Sequence, residues 1–172
     1  MPMNTDNGLV TYKKGDFLVD YGQVFQIIRI DKIKTDQGPD NLLVFRPYFK
    51  IGSESQVTSS LPVKNLDRTT IRKPLTKNEL DEVLAVLSDK RIKAEIVDVL
   101  SAKAVLNQNE AVLVAETIRK LFLEKADPTL KFTSSKKYVY RLLISRLAEE
   151  VALANNIDTQ KAEIKVENKL KK

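Results

Sequence analysis

The sequence predicts an α+β protein, with a small antiparallel β-barrel or curled sheet first and a compact all-α domain of four to five helices after it. Three observations carry this prediction. Up to Pro74, short runs of branched and aromatic residues alternate with turn residues. After Leu75, apolar residues recur at helical spacing, and cap residues punctuate that second half. The expected divisions are a tail over residues 1–11, a β module over 12–74 and a helical domain over 75–172.

The strands come first. Phe17-Leu18-Val19, Val24-Phe25-Gln26-Ile27-Ile28-Arg29-Ile30 and Leu42-Leu43-Val44-Phe45 are rich in side chains that suit a pleated surface. Asp20-Tyr21-Gly22, the polar stretch 36–41 and Gly52-Ser53-Glu54-Ser55 separate them as turns. Ser60-Leu61-Pro62-Val63 reads as a last strand on an edge or ending there, since Pro62 has no N–H for a ladder.

The helices follow. Thr76-Lys77-Asn78-Glu79 is a capping box, with Leu75 and Leu80 placed as a hydrophobic staple, and Leu80, Val83, Leu84 and Leu87 continue as a stripe. A second helix is expected from Asp89, burying Ile92, Ile96, Val99 and Leu100. Asn107-Gln108-Asn109-Glu110 reads as the next cap. Ala111, Val114, Ala115, Ile118, Leu121 and Phe122 then form one apolar face, ended by Ala126-Asp127-Pro128. Thr133-Ser134-Ser135 caps a fourth helix carrying Val139, Tyr140, Leu143, Leu147, Val151 and Ala154. Asp158 caps a fifth, Thr159 to about Leu170.

Composition narrows the chemistry. The 172 residues contain neither cysteine nor histidine, so thiol catalysis, zinc fingers and Ser-His-Asp triads are excluded. No phosphate loop is present, and the expectation is a non-enzymatic protein with no cofactor and no metal. The Ser134-Ser135-Lys136-Lys137 match to S-x-x-K lacks its companion motifs, and a serine at a helix start is ordinarily a cap. The longest apolar run, Ala111 to Ala115, is far short of the ~20 residues of a membrane span. The first ten residues show no signal-peptide pattern, and a cytoplasmic protein is expected. The net charge of +6 divides evenly: residues 1–75 hold 11 basic and 8 acidic side chains, residues 76–172 hold 18 and 15. Such a balance permits contact with nucleic acid without demanding it.

The order of four pieces resembles the CarD/CdnL family of bacterial transcription regulators. Tyr12-Lys13-Lys14-Gly15-Asp16-Phe17-Leu18-Val19 is similar to the family's F-x-x-G-D-x-V-V. Leu61-Pro62-Val63-Lys64-Asn65-Leu66 followed by Thr70-Ile71-Arg72-Lys73-Pro74 resembles its V-P-x-x-N-A and G-[LV]-R-P. Val114-Ala115-Glu116-Thr117-Ile118-Arg119-Lys120-Leu121 resembles V-A-E-V-V-R-D-L. Residues 147–154, Leu-Ala-Glu-Glu-Val-Ala-Leu-Ala, resemble the end of the following long helix.

The resemblance implies a Tudor-like barrel that binds the β subunit of RNA polymerase. It also implies a helical domain lying on promoter DNA at the upstream edge of the bubble, stabilising the open complex without reading base sequence. Three departures stand out. The loop at Asp20-Tyr21-Gly22 is short and lacks the family's Pro and His, and a family arginine before V-P falls at about Ser60. The tryptophan wedge of many members corresponds to Ser88. Polymerase contact is therefore expected at Arg29, Lys32 and Arg46. DNA-backbone contact is expected at Lys90, Arg91 and Lys93, opening the second helix, and at Lys136 and Lys137, opening the fourth. The rival readings are a protein-interaction adaptor with a helical dimerisation domain and a general nucleic-acid-binding protein.

Overall fold

The computed structural model describes residues 11–50 and 56–172. Among the described residues, four antiparallel strands lie in the order β1-β2-β3-β4, where β1 is Phe17–Asp20, β2 Gln23–Thr35, β3 Gly38–Pro47 and β4 Ser59–Pro62. The expected barrel is not closed: the strands form an open sheet with β1 and β4 at its edges. The turn expected at Gly52-Ser53-Glu54-Ser55 lies outside the described residues. A 3₁₀ turn over Val63–Arg68 follows β4, directly after the proline that ends it.

Five α-helices follow: α1 Lys77–Val86, α2 Val99–Gln108, α3 Ala111–Ala126, α4 Ser134–Asn155 and α5 Thr159–Leu170. The chain separates into two compact units, and not at residue 75. One unit runs up to Leu18 and resumes over Phe25–Thr69. The other comprises Val19–Val24 together with Thr70–Lys172.

In the first unit, Ile27, Leu43, Val44 and Phe45 are buried, with Phe25 edge-on to Phe45 at 5.5 Å between ring centres. β2 and β3 are longer than the apolar runs suggest, because their distal halves pair through alternating polar residues. Lys32 lies opposite Asn41 and Lys34 opposite Pro39. A two-residue loop, Asp36-Gln37, joins them, and Gly38 closes it at φ +104°, a backbone conformation that only glycine adopts without strain. Between Ile27 and Arg29 the register shifts by one residue, a bulge at Ile28.

The second unit is built on α4, which packs against α2, α3 and α5. Leu143, Ala148 and Val151 on α4, Ala115 and Ile118 on α3, and Ala162 and Val166 on α5 are fully buried. The capping box of α1 forms as expected: Thr76 Oγ1 accepts from the Glu79 amide at 3.4 Å, and the Glu79 carboxylate accepts from the Thr76 amide at 2.7 Å. A hydrogen bond from the Thr76 hydroxyl to that carboxylate at 2.7 Å, with the bond from the Thr76 amide, holds the Glu79 carboxyl below its ordinary range. Thr133 and Asp158 cap α4 and α5 as read from the sequence. Arg119 closes the far end of α5, donating from Nη1 to the Leu170 carbonyl at 2.9 Å.

Two expectations fail. The second helix begins ten residues late, at Val99, with Asp98 as its N-cap accepting from the Ser101 amide at 2.8 Å. Residues 89–98 are irregular; Ile96 and Leu100, expected in the core, are 74% and 76% exposed. Several forces act against the helix there. Three cations at its start would oppose the macrodipole, Ile96 and Val97 are β-branched, and the Val97 amide is taken at 3.1 Å by the Glu124 carboxylate. Asn109 is the second correction. The N-cap of α3 falls within the expected 107–110 stretch, at Glu110 and without a side-chain cap bond, whereas Asn109 ends α2 in the left-handed region at φ +54°, and its side chain serves another purpose.

That purpose is to hold the second unit's chain crossings together. Asn109 is 2% exposed. Its Nδ2 donates to the Val19 carbonyl at 2.7 Å and to the Thr70 carbonyl at 2.8 Å, and its Oδ1 accepts from the Gly22 amide at 3.0 Å. Beside it the Arg72 guanidinium grips Glu150 with two nitrogens, at 2.5 and 2.9 Å, and Glu150 also accepts from the Leu75 amide at 3.0 Å. Glu149 accepts from the Val24 amide at 2.7 Å. A β-carbon on Gly22 would meet Arg146 Cβ at 3.1 Å, and at φ +70° the position favours glycine in any case.

Candidate nucleic-acid interface

The eight cations expected to bind partners fall into distinct settings. Arg29 lies on β2 opposite Val44, and Arg46 lies two residues from Val44 on β3, so the two arginines share one face of the sheet. The bulge is responsible. Were Ile28 paired regularly with Val44, with no bulge, Arg29 would fall opposite Leu43 and project from the other face. Lys32, opposite Asn41, is on that other face. The structure therefore brings Arg29 and Arg46 together and separates Lys32 from them. Arg29 donates from Nε alone to Asp31 Oδ2 at 2.8 Å, a solvated pair worth little by itself.

Lys90, Arg91 and Lys93 do not open a helix. They lie in the irregular segment after α1, held by turn hydrogen bonds from Ser88 to Ala85 and from Asp89 to Val86. All three are exposed. Arg91 wraps back on Asp89, with Nε and Nη2 both reaching its carboxylate at 2.7 to 3.1 Å. The Arg91 side chain, with its own amide, holds the Asp89 carboxyl down at about 2. A carboxyl depressed in this way contributes to stability above its ordinary value of 3.8 and loses that contribution as pH falls toward 2. The pair is therefore intact at neutral pH. In an NMR titration of carboxyl shifts, Asp89 is expected to titrate near 2, and Arg91→Ala to raise it part of the way toward 3.8, since the residue-91 amide still donates to it. An unchanged midpoint would mean that Arg91 does not hold it.

Lys136 and Lys137 open α4 as expected, but with opposite fates. The Lys136 ammonium is buried against the Glu124 carboxylate, itself 1% exposed. Glu124 joins that lysine to the Val97 amide and so ties α4 to the segment before α2. Lys136 is a structural partner within the fold and is not presented to a phosphate. Lys137 is exposed and makes no ion pair among the described residues.

Sequence reasoning missed two cations near Lys137. Arg141 is one turn further along the same exposed face of α4, a spacing of four that the helical pattern already contained. Lys125, at the end of α3, stands 5.5 Å from the centre of the Tyr140 ring, a relation between helices that no local pattern carries. Tyr138, on the outer side of α4, is 64% exposed.

Among the described residues, no group of three or more acidic side chains is placed to hold a metal ion, and no helix is long and apolar enough to cross a membrane. The paired carboxylates Glu149 and Glu150 are occupied with Val24, Arg72 and Leu75 amides and side chains. No protein-family model matches the chain, and a search of curated proteins likewise finds no match.

Proposed function

We propose that the protein is a non-enzymatic transcription regulator whose β module docks on RNA polymerase and whose helical unit contacts promoter DNA through its backbone. The observation that carries the DNA half is the segment after α1. It presents Lys90, Arg91 and Lys93 and then a bare apolar side chain, Ile96, in one non-helical stretch, and a second bare apolar side chain, Leu100, follows in the first turn of α2. Cations that position a duplex, next to apolar groups that can wedge a base step, are the chemistry of a minor-groove contact. Ile96 and Leu100 supply what Ser88 cannot. Lys137 and Arg141 add phosphate contacts from α4.

The polymerase half rests on the sequence resemblance and on the shared face of Arg29 and Arg46 in a Tudor-like module. Strand β4, an edge of the sheet, offers backbone groups to a partner strand. The partner in this reading is the polymerase β subunit.

Charge reversal tests both halves. Lys90→Glu, Lys93→Glu and Lys137→Glu together are expected to weaken binding to fork-junction DNA by at least tenfold and to flatten its salt dependence, since each lost phosphate contact removes about 0.9 from the logarithmic slope. Open-complex lifetime should fall with it. Arg29→Glu with Arg46→Glu should abolish capture of the polymerase β subunit while leaving fork-junction binding intact. DNA binding unchanged by the lysine reversals would favour an adaptor over a DNA-contacting regulator.

A further inference from the structure

A groove in the second unit sets beside Lys137 and Arg141 an anionic wall and an aromatic ring that backbone contact with DNA does not use. Its volume is about 650 Å³, within the range of small-molecule sites. Lys125 from α3 and Lys137 and Arg141 from α4 supply cations, Phe132 from the connecting segment supplies an aromatic ring, and Glu163 and Glu167 from α5 supply carboxylates. The charges are segregated by element, with cations on α3 and α4 and anions on α5.

Opposite charges lining one groove ordinarily pair. Here they do not: none of the five takes part in an ion pair among the described residues, and Lys125 instead lies over the Tyr140 ring. Tyr140 is kept neutral, its phenol pushed up to about 12 by burial and by Glu167. A groove with a cationic wall, an anionic wall and an aromatic ring suits a ligand that carries acceptors at one end, paired donors at the other and a flat ring between.

We propose that this groove binds a guanine nucleotide. The phosphates meet Lys125, Lys137 and Arg141, and the ring packs on Phe132. The N1–H and exocyclic amino group of guanine, two donors side by side, meet a carboxylate of Glu163 or Glu167 as a charge-assisted pair. Adenine presents an acceptor at N1 and cannot pair in this way. The inference stands apart from polymerase docking, and the source is either a free nucleotide or an unpaired base in a strand.

The test uses the full chain with GDP, ADP and inorganic pyrophosphate as probes, titrated by calorimetry. GDP is expected to bind at least tenfold more tightly than ADP or pyrophosphate. Arg141→Glu should remove binding of all three. Glu163→Gln with Glu167→Gln is the deciding variant, with circular dichroism to confirm the fold. Removing two negative charges strengthens the binding of any anion held by charge alone, so pyrophosphate should bind as well or better while GDP falls to the level of ADP. Equal affinity for GDP and ADP, no binding of either, or tighter GDP binding by the glutamine variant would overturn the proposal. A single-stranded pentanucleotide with one guanine among thymines separates the sources. Binding tighter than that of GDP supports a strand, and weaker binding supports the free nucleotide. Lysine reversals at Lys90 and Lys93 should leave GDP affinity untouched, so failure of DNA contact and failure of this site are distinguishable.

Discussion

Asn109→Ala is expected to destabilise the protein by about 3–5 kcal/mol, the larger part from three hydrogen bonds, two buried and one part-buried, at about 1 kcal/mol each net, with unpaired carbonyls adding to it. Val19, Gly22 and Thr70 all lose their side-chain partner at once. A further cost of about 1 kcal/mol comes from placing alanine at φ +54°. For a chain of this length the melting temperature should fall by about 10 °C. Asn109→Asp distinguishes hydrogen bonding from shape. It keeps the volume and the Gly22 acceptor but aims a carboxylate oxygen at two carbonyls, so it should be at least as damaging as alanine. A shift under about 3 °C for either variant would show that these crossings are held by packing instead.

The second large effect is expected at Glu124. Truncation to alanine strands the Lys136 ammonium in a buried position and leaves the Val97 amide without its acceptor. Breaking one side of such a pair costs about 3–5 kcal/mol, whereas replacing both sides by apolar groups of similar size is often neutral. Urea denaturation should therefore give a much lower midpoint for Glu124→Ala, and Glu124→Leu combined with Lys136→Met should recover most of it. A double variant no more stable than the single would mean that Lys136 carries no uncompensated charge, and that the cost lies with Val97 alone.

How much of this was legible in the sequence depends on the range of the interaction. Strands β1 to β4 and helices α1, α3, α4 and α5 were readable because their signals are local: a capping box at Thr76, a proline after Ala126, and apolar stripes along α3 and α4. The late start of α2 was not, because it depends on the Glu124 carboxylate, 27 residues away, taking the Val97 amide. Lys136 and Lys137 look alike in sequence. Only the position of Glu124 on α3 decides that one is buried and the other exposed. The pairing of Arg29 with Arg46 on one face turned on a single bulged residue, which hydrophobic alternation does not reveal. Lys125 was missed for the same reason as Asn109: each acts on residues that the chain brings near only after folding.

The six residues Val19–Val24, which belong with the helices although they comprise the end of β1, a turn and the start of β2, bear on how the protein can be dissected. A clone starting near Leu75 would lack Val19, Gly22 and Val24, leaving Asn109 and Glu149 facing solvent with their backbone partners missing. Such a fragment reports on a damaged lobe, and any loss of activity in it says nothing about the missing sheet. A faithful excision would supply the hexapeptide separately, or graft it ahead of Thr70 through a flexible spacer, so that the amputated piece keeps its own keystone.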